Sequence, residues 1–321
     1  MGIKNTKREA ISSVLLIFLL MVLSTAARSE EELNFIQRFS IKMKSGMSHI
    51  GVGDINNFLE SGNEEHNDYA QYWLNGLKKG ELKKIEAGSK SELELSFAVT
   101  PRFGVYFSAG YDYAGKESSG GFEVYPRPRF LDIDSVDYTY SPTTSIRVVP
   151  LKLGFYYIIP FGSKARLSIN GGGGYFITKT VFSWEQIELW KREDGSIAGD
   201  FKEVVEWDLS SKAIGFHGGI GFEYNLTKNL SLVIEYQGRS ARLKELKGTE
   251  IVVGLGYTES LYGSVYYLER ENSITEKYYI CLGFFEEKPD YLPSPVYRNI
   301  RNAELDLSGH SLVVGMKISL F

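Results

Sequence analysis

The segment IRVVPLKLGFYYIIPFGSKARLSINGGGGYFITKT, residues 146–180, has the pattern of two long β-strands joined by a tight turn. Before the turn, the odd-numbered positions 151–159 are apolar, and Lys152, Gly154 and Tyr156 lie between them. After the turn, the alternation continues through Leu167 and Ile177. Because successive side chains of a strand point to opposite faces, a period of two indicates a hairpin with one apolar face. Each apolar face is about ten residues long, which suits a tilted strand that crosses a bilayer.

The first strand of this hairpin changes phase near its start. Ile146 and Val148 occupy even positions, whereas the apolar residues after Pro150 occupy odd ones. A one-residue insertion would produce such a change, and proline within a strand favours one. The sequence therefore predicts a β-bulge at Val149–Pro150.

Six further segments alternate in the same way. They are residues 35–47, 91–100, 103–114, 212–224, the strand that starts at 230, and 311–321. Long polar connections alternate along the chain with short ones. The long connections are residues 48–88, 115–141, 183–210 and 247–307, and the short ones are 100–102, 160–165 and 226–229. This predicts an all-β fold, an eight-stranded antiparallel transmembrane β-barrel with long extracellular loops and both termini on the short-turn side. The first long connection is expected to hold two helical pieces, one capped by Asp54 and one over residues 68–74.

Two other architectures fit parts of the pattern. Ten strands result if the β-like pieces at 264–268 and 277–285 enter the membrane. A secreted, lipocalin-like barrel results if the apolar faces point inward, in which case a lipophilic ligand is expected. The alternating loop lengths and the N-terminal leader favour the eight-stranded membrane barrel.

The first 27 residues have the features of a signal peptide. Positive charges at residues 4–8 precede the apolar run Val14–Leu23, and small residues follow it. Cleavage is expected after Ala26 or Ala27, which leaves residues 28–321 as one barrel domain. An uncleaved N-terminal anchor is the alternative.

Composition limits the classes of function. The net charge is −4, which gives no basic excess for nucleic acid. The 21 Tyr, 19 Phe and 33 Gly suit a barrel with aromatic girdles. Cys281 is the one cysteine, so no internal disulfide forms. No His/Cys/Asp spacing points to a metal site, and no cofactor is predicted.

Three features resemble those of a known family: the hairpin Pro150–Tyr157, the run Gly171–Gly174 and the last strand ending in Phe321. On these the chain resembles the small outer-membrane β-barrel proteins of Gram-negative bacteria, of the OmpA/OmpW-like kind. The resemblance implies a place in the bacterial outer membrane and contact with its lipid. It also implies that the barrel assembly machinery reads the strand ending in Phe321.

If the apolar faces contact lipid, the polar faces converge in the lumen. The charged or titratable residues predicted to line it are Arg38, Lys42, Lys44, Glu92, Glu94, Asp112, Arg147, Lys152, Arg166, His217, Glu223, Glu235, Arg239 and Lys317. An eight-stranded barrel is just wide enough for side chains to fill, and buried charges require partners. We expect a structural salt-bridge network that plugs the lumen. A narrow gated path for a small solute, or a small ligand site, is the alternative.

An enzyme of the outer membrane that modifies lipid is a second hypothesis. A catalytic site needs a nucleophile, a base and an acid within reach. His310 and Ser311 lie near Asp306 in sequence, but neighbouring residues of a strand point to opposite faces. No catalytic residue is therefore assigned, and a structural or surface-interaction role is preferred.

Aromatic residues are frequent in the long connections and form a possible surface for an extracellular ligand. They are Tyr69, Tyr72, Trp73, Trp184, Trp190, Trp207, Tyr257, Tyr262, Tyr266, Tyr267, Tyr278 and Tyr279. The alternative is that they form an interfacial girdle and pack the loops internally.

Overall fold

The computed structural model describes residues 38–72, 76–125, 133–289 and 296–320. Its helix α1 is Asp54–Tyr72. Its strands are β1 Phe39–Ile50, β2 Leu77–Glu81, β3 Ala87–Ala98, β4 Phe103–Glu117, β5 Ser119–Val124, β6 Ile133–Phe161, β7 Ala165–Arg192, β8 Ile197–Asn225, β9 Leu230–Ser240, β10 Arg242–Lys244, β11 Lys247–Gly254, β12 Tyr257–Asn272, β13 Lys277–Phe285, β14 Tyr297–Asn302, β15 Glu304–Asp306 and β16 Gly309–Ser319. No helix in these ranges is long and apolar enough to span a membrane. The signal peptide lies outside the described residues and stays a prediction.

Eight of the strands form a closed antiparallel ring. Its order is β1-β3-β4-β6-β7-β8-β9-β16, and β16 pairs back to β1. The three predicted short turns all join neighbouring strands of this ring, and Gly162 gives the second one its positive φ of 70°. The prediction of eight strands is confirmed. The ten-strand alternative is wrong, because β12 pairs with β11, β13 and β14 and stays outside the ring.

The faces of the ring have opposite polarity to those of a soluble barrel. Leu153 and Phe216 point outward and are 66% and 73% exposed, whereas Lys44 and Glu235 point inward and are 3% and 1% exposed. Apolar side chains outside and charges inside suit lipid surroundings and exclude the lipocalin-like arrangement.

Three strands continue far beyond the membrane. β6, β7 and β8 contain 29, 28 and 29 residues, whereas a tilted strand crosses a bilayer in about 9–11 residues. The predicted loops at 115–141 and 183–210 are therefore wrong, since most of these residues belong to β5 and to the outer halves of β6, β7 and β8. There the inner face is apolar and the outer face is polar, as in a solvated sheet packed on a core.

This inversion of polarity also explains the change of phase near Pro150. β6 pairs with β7 in an unbroken register from Ser135 to Phe161, so the predicted β-bulge is wrong. Even-numbered residues of β6 point inward from Tyr140 to Ile158, including the buried Val148 and Lys152. The side chains exchange character because the strand leaves the bilayer, not because the backbone shifts.

The outer halves of the long strands form a curved sheet that wraps around α1. The sheet runs β2-β5-β6-β7-β8-β11-β12-β13. Helix α1 packs against β2, β5, β13 and β15. In its described residues, the first long connection thus contains one continuous helix rather than two. The pieces predicted at 264–268 and 277–285 form the β12–β13 hairpin, which stands outside the membrane as expected.

Candidate functional site

The inward faces of the ring bring together a dense group of buried charges. The lumen cations are Lys42, Lys44, Lys90, Lys152, Arg239 and Lys317, and the lumen anions are Glu92, Glu94, Asp112, Glu223 and Glu235. Strand β7 contributes uncharged Asn170 and Ser168. Because each strand places alternate residues inward, the even positions of β1, β3, β4 and β6 and the odd positions of β8, β9 and β16 meet here.

Lys44 is the centre of this network. Its Nζ lies 2.7 Å from a carboxylate oxygen of Glu94, 2.9 Å from one of Glu235 and 3.2 Å from one of Glu92. Glu235 also accepts a hydrogen bond of 2.7 Å from the Asn170 side-chain amide. The carboxylates come from two strands on opposite sides of β1 and β16, so this one ammonium group joins separate parts of the ring.

Two further groups of ion pairs flank Lys44. Toward the short turns, Glu223 binds Lys42 at 3.1 Å and Lys317 at 2.9 Å. Toward the long strands, Glu92 binds Lys152 at 2.5 Å, and Arg239 pairs with Asp112. The network therefore extends along the lumen with nearly balanced charge, which is the arrangement in which buried ions are tolerated.

Two tyrosines pack across the lumen where glycines leave room for them. A Cβ on Gly104 would collide with the Tyr156 ring, and a Cβ on Gly154 would lie 2.8 Å from the Tyr106 ring. The Tyr106 hydroxyl lies 2.6 Å from Nε2 of His217. The glycines on β4 and β6 thus make room for the two rings, and the predicted lumen residue His217 contacts Tyr106.

The predicted site residues fall into three groups. Most of them point into the lumen, and whether they do more than fill it stays a prediction. Arg38 and Arg166 lie half-buried near the short-turn end, where Arg38 donates to the Val99 carbonyl at 3.3 Å. Arg147 is a wrong prediction: it points outward and is exposed, because the β6 register continues without a bulge. Lys90 was missed, although its even position on β3 places it in phase with the two glutamates of that strand.

An apolar layer closes the lumen on the side of the long strands. This layer, here called the apolar seal, consists of fully buried residues: Ile50, Ile146, Val148, Phe176, Phe182, Leu209, Leu243, Leu305 and Leu307. Val148 lies on the same inward face of β6 as Lys152, four residues farther from the short turn. Between seal and network, the cavity lined by Lys90, Lys152 and His217 measures only about 10 Å³.

Helix α1 covers the seal and is held at several points. Asp54 accepts hydrogen bonds of 2.6 and 2.8 Å from Arg301, and its carboxylate also accepts one of 2.7 Å from the Glu304 amide. The side chain of Asn56 exchanges two hydrogen bonds of 2.8 Å with the backbone of Ile85. Asn63 exchanges two more with Leu82, at 2.7 and 2.8 Å. These contacts fix the helix on the end of the barrel.

Replacement of Asp54 by asparagine is expected to destabilise the docked helix by about 2 kcal/mol, because it removes the charge from a half-buried fork of hydrogen bonds between the Asp54 carboxylate and the Arg301 guanidinium. Hydrogen exchange of the α1 amides should then accelerate about thirtyfold. The matched control is Glu60→Gln on the same helix, whose 2.9 Å pair with Lys84 is exposed and worth little. Equal acceleration in both variants would contradict this account of the helix anchor.

The possible catalytic pair does not assemble. His310 is exposed on the outer face and its ring stacks on that of His49, with centroids 5.1 Å apart, while Ser311 is buried inside. The two side chains therefore lie on opposite faces, as expected. Within the described ranges, no group of three or more His, Cys, Asp or Glu side chains is placed to hold a metal ion.

The loop aromatics divide between core and surface. Trp207 is buried, packs edge-on against Trp184 at 4.8 Å and donates a 2.8 Å hydrogen bond to Glu250. Tyr262 and Tyr257 are 70% and 42% exposed. Trp73 lies outside the described residues. Internal packing thus accounts for part of the set, and the rest remains available at the surface.

Comparisons with known proteins give one family and several distant structures. Residues 15–258 match the family model described as an outer membrane protein beta-barrel domain. The outer membrane protein OprG from Pseudomonas aeruginosa is 12% identical, with 87% of this chain and 94% of that chain covered and a TM-score of 0.38. Neisserial surface protein A is 10% identical, with coverage of 88% and 96% and a TM-score of 0.26. The outer membrane protease OmpT from Escherichia coli is 8% identical, with coverage of 91% and 100% and a TM-score of 0.28. No curated protein matches the chain.

Proposed function

The chain belongs to the outer membrane protein beta-barrel domain family, and on that premise we propose that it is a non-conducting anchor that displays a rigid interaction surface outside the cell. The observation that carries this proposal is the apolar seal across the end of the lumen. An ion or small polar solute that enters such a layer loses its hydration and gains no hydrogen-bond partners. Its transfer from water into the layer therefore costs several kcal/mol or more. Below the seal, the paired charges leave little space.

The outer module, which consists of α1, strands β2, β5 and β10–β15 and the outer halves of β6, β7 and β8, supplies the features of an interaction surface. Its β11–β12 hairpin exposes neighbouring apolar side chains, namely Ile251, Val253, Leu255, Tyr257 and Tyr262. Exposed apolar groups of this kind on a soluble module often mark contact sites for other molecules. The underlying sheet is held by the α1 anchors and by the buried aromatic core, so the hairpin is presented on a stiff support. Recognition of the final strand by the barrel assembly machinery remains a prediction, because Phe321 lies outside the described residues.

In planar bilayers, the purified full-length protein is expected to give no stable conductance above that of the protein-free membrane. The variant Arg239→Ala should behave in the same way, because the seal closes the lumen independently of this charge. A general porin added to the same bilayers serves as the positive control. Discrete conductance steps whose size changes in Arg239→Ala would overturn the closed-lumen proposal and favour passage of a small solute.

A further inference from the structure

Two exposed histidines face each other across the seam where the ring closes. The seam joins β1 and β16, the first and last strands of the ring, and its register places His49 directly opposite His310. Their imidazole rings are stacked, with centroids 5.1 Å apart and planes inclined by 25°. Although the two residues lie near opposite ends of the chain, the fold therefore brings the nitrogens of two imidazoles together at one place on the outer surface.

The pair lies just beyond the apolar belt, the band of exposed apolar side chains that contacts lipid. His49 follows the exposed Met47 by two positions, and His310 precedes the exposed Leu312 by two. A step of two residues along a strand is about 7 Å. The histidines therefore lie at the level of the lipid headgroups on the side of the long strands, where water and dissolved ions reach them.

The space around the pair is open. The flanking strands place Gly238 beside His310 and Ala87 beside His49, and a Cβ on Gly238 would have no contact within 4 Å beyond its chain neighbours. Among the residues that the structure describes, no hydrogen bond or ion pair engages the ring nitrogens of either histidine. The Tyr236 ring stacks on that of His310, with centroids 5.8 Å apart, and limits its orientations. The nitrogens are thus available to a ligand while one of the two rings is held in place.

The separation of the two rings suits one metal ion between them. Zn²⁺ binds imidazole nitrogen at about 2.0–2.1 Å in a tetrahedral arrangement, which leaves the centroids of two rings on the same ion about 5 Å apart. The observed distance of 5.1 Å agrees with this value. The torsion that turns each imidazole is soft, so both rings can direct a nitrogen at one ion without a shift of the strands.

We propose that His49 and His310 together bind a divalent transition-metal ion that prefers imidazole ligands, such as Cu²⁺ or Zn²⁺. Two protein ligands leave the remaining coordination positions to water, in keeping with the finding that no group of three or more potential ligands is assembled in the described ranges. Because the two histidines belong to the first and last strands of the ring, the bound ion joins both sides of the seam and stabilises the closed barrel. The site lies outside the lumen and does not depend on the function proposed for the outer module.

The test titrates tag-free, full-length protein in zwitterionic micelles with Cu²⁺ and compares the native chain with His49→Asn and His310→Asn. Each single variant should bind Cu²⁺ at least about a hundredfold more weakly, because the second imidazole of a chelating pair acts at a high effective concentration. The matched control is His66→Leu, which removes a buried histidine of α1 and should bind Cu²⁺ like the native chain. The electron paramagnetic resonance spectrum of the bound Cu²⁺ should show coupling to two imidazoles in the native chain and in the control, and to one in each single variant.

A second measurement tests the connection across the seam. Zn²⁺ at about one hundred times its Kd for the native chain should lower the equilibrium constant for unfolding of that chain in urea about a hundredfold. The same concentration should change the constant of either single variant only about twofold, because their Kd is about a hundredfold higher. An equal effect of Zn²⁺ on the native chain and the single variants would overturn the proposed connection.

Two results of the Cu²⁺ titration would overturn the site itself. Native affinity in either single variant would assign the ion to one histidine or to another part of the protein. Binding by the native chain that is no tighter than that of both variants would leave the pair as ordinary members of the aromatic girdle. Heat-dependent electrophoretic mobility verifies that each variant is folded, and a variant that fails this check is replaced by His49→Gln or His310→Gln.

Discussion

Replacement of Lys44 by methionine is expected to lower the free energy of unfolding by roughly 3–5 kcal/mol. Methionine fills a similar volume, so the cost does not come from a cavity. It arises because the Nζ atom that lies within 3.2 Å of Glu92, Glu94 and Glu235 is removed. Three carboxylates then remain buried near one another with one cation fewer. Removal of one member of a buried ion network lowers the stability by far more than the intact network contributes to it.

The matched control for this variant is Lys84→Met, which breaks the 2.9 Å pair with Glu60 at the surface. This pair should contribute between about 0 and 1 kcal/mol. Both variants are unfolded by urea in detergent micelles or thin bilayers under conditions in which folding is reversible. A loss for Lys44→Met as small as that for Lys84→Met would mean that water or protonation relieves the buried charge, and the lumen would not be the closed network described above.

A second substitution separates charge from packing. In Lys44→Met/Glu235→Gln, one of the uncompensated carboxylates is replaced by a neutral amide of nearly the same shape. The double variant should therefore be more stable than the sum of the two single losses predicts, by about 1 kcal/mol or more. Additive losses would show that Lys44 and Glu235 do not interact directly.

The sequence predicted the membrane part of the fold because that part obeys a single rule. Apolar and polar residues alternate along each strand, the short turns carry turn residues, and one of two orientations places the apolar faces on lipid. Beyond the bilayer the apolar and polar positions exchange faces. The alternation along the whole strand is then interrupted, and the sequence no longer indicates one continuous strand. Tyr140 and Trp207 were assigned to loops for this reason. They are apolar residues on the inward face, as in a strand surrounded by water, whereas the prediction assumed the polar inward face of a strand surrounded by lipid.

The same reversal limited the prediction of the lumen residues. Lys42, Glu94 and Lys317 were identified because they alternate with apolar neighbours within one strand. Arg147 was misplaced, since a change of phase was interpreted as a bulge when the surroundings had changed instead. The seal and the helix anchors depend on contacts between residues far apart in the chain, and Asp54 and Arg301 are separated by 247 positions. No local pattern in the sequence carries that information.

Acid is expected to loosen the outer module through His66. This side chain of α1 is 6% exposed, and its ring packs against those of Phe122 and Tyr138, with both centroids 5.7 Å away. Its Nδ1 atom has no hydrogen-bond partner within the described structure. Burial, with a smaller contribution from the nearby Lys78 charge, lowers the pKa of His66 from 6.5 to about 4.

The direction of the pH effect follows from that lowered pKa. In the unfolded chain His66 takes up a proton near pH 6.5, whereas in the folded protein it stays neutral until about pH 4. The stability is therefore complete above pH 6.5 and falls as the pH decreases through this window. The lowered pKa of His66 corresponds to a loss of about 3 kcal/mol once the pH is below 4.

The difference between the native protein and His66→Leu isolates this contribution, because acid also protonates carboxylates elsewhere in both proteins. Leucine keeps an apolar side chain in the pocket, so the variant should lose less stability than the native protein between pH 6.5 and 4. Urea unfolding and hydrogen exchange of the α1 amides are measured at several pH values across that window. Curves that run parallel for the two proteins would contradict the assignment, because a histidine that is buried and neutral cannot avoid this dependence. A larger loss of stability in the native protein than in His66→Leu between pH 6.5 and 4 would identify His66 as the group that couples the docking of α1 to the proton concentration.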